Sequence, residues 1–215
     1  MNGRNRHKKG SRYELQTAKK LSSWTGEQVM RSLASGAGGS RTGQEQAQMI
    51  GDLFFPLKKN KLIVDNNFTY ECKCHESSKL VHLFNCNGEI PSFWEQATTD
   101  CRRISKHNPM LIMHVDREDD YIVVPYNTLF EDYLFDNDLP YMSKKLSYTI
   151  KMTKQTYNYK VIITNLKSLM TTDPNWFYKI YENCDWDNLN YFEEDPKQEI
   201  NDAMSAIDAS LNIGK

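Results

Sequence analysis

Residues 110–115 (Met-Leu-Ile-Met-His-Val) are apolar at every position but one, and a proline precedes them while an aspartate follows. A strand with one wet face alternates apolar and polar side chains, whereas an unbroken apolar run is covered on both faces. A strand of that kind needs a layer packed on each side of the sheet, which points to an α/β architecture. The 215-residue chain suits one domain with an extension, and its net charge of −1 selects no partner by itself. The longest apolar runs fall short of the roughly 18 residues that cross a bilayer, so no membrane partner is expected.

Around that strand, helical and extended patterns succeed one another. Ser11 and Glu14 have capping-box spacing ahead of the stripe Leu15, Ala18 and Leu21, so a helix is expected to open at Ser11 and close near Thr25-Gly26. Residues 28–33 read as a first strand, and the glycine- and serine-rich residues 35–43 read as a loop. Residues 52–57 form a second expected strand, with Leu53, Phe55 and Leu57 facing the core. Residues 58–60 turn the chain, 61–64 return it, and Asn66-Asn67 turns it again into residues 68–74. A loop over 76–91 precedes a helix opened by Ser92 and Glu95, striped with Trp94, Ala97, Cys101 and Ile104. Residues 121–124 extend the sheet.

Residues 1–10 are expected to form a flexible basic arm and 11–125 the core. A β-rich extension follows over 126–172, with a hairpin from 148–152 and 159–164. The last part, 173–215, is an acidic, partly helical tail with helices over 175–181 and 198–211. The first twenty residues hold Arg4, Arg6, Lys8, Lys9, Arg12, Lys19 and Lys20 against Glu14 alone, while ten acids face three bases from Asp173 onward. That asymmetry suggests nucleic acid at the N-terminal half, although two solvated ends would look the same. Five cysteines without framework spacing fit reduced thiols in a cytoplasmic compartment.

The chemistry lies in residues 68–74. Alternation puts Glu71 and Lys73 on one face, roughly 7 Å apart, and Tyr70, Cys72 and Cys74 on the other. A carboxylate and an ammonium so placed can serve one phosphate and one hard cation. Asp52, arriving from the neighbouring strand, is a second candidate ligand, and the Cys72 carbonyl a third. Glu14 either completes that shell or closes its capping box. Mg²⁺ suits such a set because it binds through one or two carboxylates and keeps waters and substrate oxygens as its other ligands. Lys73 would orient the attacking water or neutralise developing charge. The bland alternatives are a turn aspartate at Asp52 and an exposed charge pair at Glu71 and Lys73.

Lys9-Gly10-Ser11-Arg12-Tyr13-Glu14, Arg31-Ser32-Leu33-Ala34-Ser35-Gly36, Gly51-Asp52-Leu53 and Glu71-Cys72-Lys73, in that order, resemble the successive motifs of the PD-(D/E)XK nuclease superfamily. Within it the chain is most similar to the archaeal-type and phage Holliday junction resolvases, over residues 8–125. The resemblance implies a restriction-endonuclease-like mixed sheet flanked by helices, with a C-terminal β/α extension. It implies a Mg²⁺-dependent DNA endonuclease, with Mn²⁺ able to substitute. Glu14, Asp52 and Glu71 would then be metal ligands with the Cys72 carbonyl, and Lys73 would be catalytic. Arg31 and Ser35 would sit at the phosphate and Gln96 near the active face. Lys8, Lys9, Arg12 and Arg41 would grip double-stranded or branched DNA, and paired cuts would require a homodimer. The motif departs from the family at Gly51, where proline is usual.

Four further signals stand beside these. Cys72, Cys74, His75, His82 and Cys86 lack the paired spacing of a zinc site. His114 reads as a core histidine. Arg102, Arg103, Lys106 and His107 complement a helix C-terminus or hold a DNA backbone. The aromatic residues from Tyr157 to Tyr181 serve packing or base stacking.

Overall fold

The unbroken apolar run becomes β4 (Asn108–His114), whose first six residues are all buried. The computed structural model describes residues 3–32, 50–56, 66–74, 79–104, 107–115 and 118–188, with residues 3–8 as backbone only. Along β4 the side chains alternate between two cores. Met110 and Ile112 join one, with Leu21, Tyr70, Phe130 and Phe177. Leu111 and Met113 join the other, with Leu83, Trp94, Val123 and Val161. The sheet is thus sandwiched as the uninterrupted apolar pattern requires.

In chain order the elements are α1 (Gly3–Thr25), β1 (Met30–Arg31), β2 (Leu53–Phe54), β3 (Phe68–Cys74), α2 (Leu80–Phe84) and α3 (Ile90–Cys101). After β4 come β5 (Asp120–Pro125), α4 (Thr128–Asp136), β6 (Tyr141–Thr149), β7 (Thr156–Asn165), α5 (Leu166–Leu169) and α6 (Pro174–Ile180). Among the described residues they build one seven-stranded sheet in the order β1-β2-β3-β4-β5-β7-β6. Its one parallel pair is β3–β4, joined by the crossover that carries α2 and α3. The other pairs are antiparallel. This is the expected restriction-endonuclease-like mixed sheet flanked by helices.

Several elements differ from the sequence pattern. The first helix begins at Gly3, not Ser11, so backbone expected to be a flexible arm is helical. Once the turns around Tyr13 and Leu21 are packed, each further residue extends an existing nucleus at little cost, and arginine and lysine are good helix formers. Ser11 and Glu14 are therefore interior, and no capping box forms there. The α3 helix likewise starts two residues before Ser92, with Pro91 in its first turn, where a fixed φ is already helical. Ser92 Oγ instead donates to the Glu89 carbonyl at 2.8 Å. The loop expected over 76–91 contains α2, and α4 has no counterpart in the sequence reading.

The hairpin is present with longer arms, Thr149 facing Thr156 across its turn. Because β5 pairs with β7, it continues the same sheet. The aromatic helix α6 packs behind β3: Phe68 lies 5.3 Å from Phe177 and 5.0 Å from Tyr181, and the Tyr70 and Tyr178 hydroxyls are 2.8 Å apart. Packing is the use of these rings. They brace the strand that carries Glu71 and Lys73. The loop over 35–43, the return strand over 61–64 and the helix over 198–211 lie outside the described residues, as does His75.

Candidate active site

Asp52 is set by backbone pairing. Its N–H donates to the Tyr70 carbonyl at 2.8 Å, and its own carbonyl accepts from Ser32 N at 2.8 Å. Leu53 then faces Tyr70 across β2 and β3. Gly51 makes this approach possible. Its φ is +86°, and a Cβ there would lie 2.7 Å from the Tyr70 carbonyl oxygen. Proline cannot adopt that φ, which accounts for glycine where the motif usually carries proline.

Where β2 leaves the sheet, the Asp52 side chain takes over its pairing. Oδ2 accepts from the Cys72 N–H at 2.8 Å. Cys72 therefore touches the site through its main chain, while its side chain is buried in the core shared with Tyr70 and Ile112. Burial, then the carboxylates of Asp52 and Glu71, push its thiol pKa well above the ordinary range.

Glu71 is only 2% exposed and Asp52 only 7%. Glu71 is ion-paired with Lys73. Lys73 Nζ also donates to Gln96 Oε1 on α3 at 2.8 Å, and lies 5.5 Å from the centre of the Phe93 ring. Burial raises the Glu71 carboxyl to about 8, with the Asp52 charge adding to it and Lys73 opposing. Burial raises Asp52 to about 6; the Cys72 N–H opposes this, and Glu14 adds to it. The two carboxyl groups are thus within electrostatic range of each other, with Lys73 acting on both.

Glu14 reaches this neighbourhood from α1, paired with Arg31 of β1. That pair takes the place of the capping contact expected for Glu14, and it engages Arg31, which the motif places at a phosphate. Asp100 was not anticipated. It raises the pKa of both Asp52 and Glu71 and is bound to Arg103 at 2.8 Å. It sits one turn after Gln96 on α3, so its position on the same helix face was readable from the four-residue interval. Arg102 turns the other way. Its guanidinium donates to Asp187 and to the hydroxyls of Tyr148 and Tyr159, a structural role.

Lys9 and Arg12 line a groove with Cys74 and His114, at the ends of β3 and β4 beyond Lys73. His114 is not a core residue; its side chain is 34% exposed. The side chain of Lys8, and both Ser35 and Arg41, lie outside the described residues. A larger cavity of about 470 Å³, lined by Tyr126, Lys160 and Trp186, includes none of the site carboxylates.

Among the described residues no three His, Cys, Asp or Glu side chains form a ready-made metal cage. The donor set nonetheless fits a hard divalent cation. Asp52 and Glu71 are neighbouring buried carboxyl groups whose pKa values burial raises, with Asp100 acting on both and Glu14 on Asp52, and a divalent cation beside them would favour their charged forms. Mg²⁺ needs only one or two carboxylates, which Asp52 and Glu71 supply.

No curated protein and no solved structure matches the chain. A family model described as "Phage putative PDDEXK endonuclease" matches residues 5–179. That span takes in Glu14, Asp52, Glu71 and Lys73, and it runs on through the hairpin to α6. The buried acid-and-lysine edge of the sheet and this match agree, and the chain belongs to the phage PDDEXK endonuclease family.

Proposed function

We propose that this nuclease is a Mg²⁺-dependent DNA endonuclease that cuts branched DNA as a homodimer, in the host cytoplasm, and that Mn²⁺ can replace Mg²⁺. The observation that carries the reading is the pair of buried carboxyl groups, Asp52 and Glu71, beside a lysine held in place by Gln96. The ion, held by Asp52 and Glu71 with Glu14 and the Cys72 carbonyl, would supply charge neutralisation on the phosphate and an activated water.

The remaining work falls to the chain. The Cys72 N–H orients Asp52 through Oδ2. Gln96 and Glu71 fix Lys73 Nζ, which would orient the attacking water or neutralise developing charge on the phosphate. Phe93 and the α3 packing shield the ammonium, which strengthens its interaction with developing charge. Arg31, drawn to Glu14, stands ready to exchange that partner for a phosphate oxygen. Preference for four-way junctions rests on the order and spacing of the motifs. Symmetric cutting of a junction calls for two copies of the site, hence the dimer.

Incubation with four-way junctions and with matched linear duplexes, in Mg²⁺ and in EDTA, tests this reading. Junction cutting that stops in EDTA supports it. Equal cutting of both substrates points to a nuclease for linear, foreign or damaged DNA. Cleavage that survives Glu71→Ala or Lys73→Ala overturns the site. DNA binding without any cleavage would make the chain a binding protein on a nuclease fold.

A further inference from the structure

We propose that His114, oriented by Asp120, and Arg12 on α1 form a second phosphate-binding position that holds the DNA backbone beyond the bond being cut. This inference rests on the nuclease reading and extends it to the path of the substrate.

Asp120 opens β5 opposite His114 in the β4–β5 register and is 8% exposed. Its carboxylate accepts from His114 Nδ1 at 2.9 Å and from Lys20 Nζ. The Tyr13 ring packs 5.7 Å from the imidazole. A histidine bound through Nδ1 and stacked on one side has its ring plane fixed, and its other edge, Nε2, remains for an outside contact. The imidazole borders a groove of about 330 Å³.

The second wall of that groove is one face of α1. Lys9, Arg12, Gln16 and Lys20 follow one another at three- and four-residue intervals, so their side chains stack along the helix. All four are hydrogen-bond donors, and three carry positive charge. The acids in the groove are largely engaged. Asp120 is held between His114 and Lys20, and Asp119 is ion-paired with Lys167 at 2.7 Å. Glu118 is exposed.

The position relative to the site follows from the sheet. Cys74 lies opposite His114 in the parallel β3–β4 register, one residue past Lys73. Strand rise and spacing put the His114 Cα on the order of 10 Å from that of Glu71. The imidazole is on the α1 face of the sheet, and the Glu71 and Lys73 side chains are on the opposite face, toward Gln96. The groove therefore lies apart from the bond being cut, and a phosphate held there belongs to backbone that passes the α1 side of the strand ends. Donors without base-reading geometry match a phosphodiester, and contacts of this kind set register without selecting sequence.

The test uses full-length protein with Ca²⁺ in place of Mg²⁺, and anisotropy of a labelled four-way junction and duplex across a salt series. Arg12→Gln is expected to weaken binding about tenfold at low salt and to lower the slope of log K against log salt by about one unit, as loss of one phosphate contact requires. His114→Gln should weaken binding by about threefold to tenfold, with His114→Lys restoring it. Wild-type affinity and slope in both Arg12→Gln and His114→Gln would overturn the proposal. Should His114→Gln lose structure by circular dichroism, Arg12→Gln decides alone, since Arg12 is exposed. A wild-type protein that cleaves DNA while both variants bind normally refutes this position only. A wild-type protein that neither binds nor cuts DNA refutes the nuclease reading with it.

Discussion

Helix α3 runs between two charged clusters that are built on opposite terms. At its far end Arg102 is surrounded by partners: Asp187 takes two of its N–H groups at 2.9 and 2.6 Å, and the Tyr148 and Tyr159 hydroxyls accept at 3.0 and 2.6 Å. The Tyr157 ring lies 4.8 Å away and Trp186 5.6 Å. Six and two residues before it, Gln96 and Asp100 stand toward Asp52 and Glu71, whose carboxyl pKa values burial drives upward. A satisfied charge ties elements together, whereas an under-compensated buried one destabilises the fold and points to a functional site. The strands repeat the contrast. β6 and β7 pair over nine positions, while β1 and β2 are two residues each. The long half is a frame, and the candidate site gathers where the short edge strands meet β3.

The largest expected effect that would break this comparison is catalytic. Glu71→Gln should lower cleavage of DNA by about a thousandfold or more, while the metal-free protein melts at the same temperature or higher. A matching loss of stability would mean that Glu71 belongs to the frame. Calorimetry without metal, set beside cleavage rates, decides between these outcomes.

The pH dependence of the metal-free protein comes next. Asp52 and Glu71 titrate near 6 and 8 when folded, against about 4 when unfolded. Folded protein therefore binds more protons over that interval. The stability they contribute is present below pH 4 and is lost as pH rises through 6 and then 8. The melting temperature should fall by several degrees between pH 5 and pH 8, and Mg²⁺ should raise it more at pH 8 than at pH 5. A flat metal-free profile would remove the evidence for under-compensated charge.

Arg102→Ala sharpens the other side. Removing the guanidinium takes a donor from Asp187 and from two tyrosine hydroxyls that keep other partners, at a cost of about 2–3 kcal/mol in urea unfolding. Cleavage per folded molecule should be unchanged. The smallest effect is expected from Gly51→Ala. A Cβ at φ +86° and 2.7 Å from the Tyr70 carbonyl should cost about 1–3 kcal/mol and disturb Asp52, so that activity falls further than stability.

Much of the fold was readable where a local period decides it. β3 runs over the residues that its alternation marks, and the unbroken apolar run is the doubly covered β4. The Ser11–Glu14 interval misled because it describes a helix start only if the chain before it is not helical, and here the helix continues to Gly3. The pattern missed α4, whose N-cap Asn127 accepts from Phe130 N and whose apolar contacts come from Phe130 and Leu134 four residues apart. Glu14, Asp52, Glu71, Lys73 and Gln96 could be named from motif order. Their partners could not: Glu14 with Arg31 spans 17 residues, and Lys73 with Gln96 spans 23.

The amino-acid pattern alone determined where backbone would be extended and which strand would be covered on both sides, and it nominated the acids and lysine as candidates for phosphate chemistry. These follow from side-chain spacing, which the backbone imposes residue by residue. Only the tertiary structure decided that His114 is a groove residue and not a core one, that Arg102 is clamped, and that Asp100 faces the site. Charge environment depends on which distant segments exclude water from a group and which bring it a partner, and no local spacing records that.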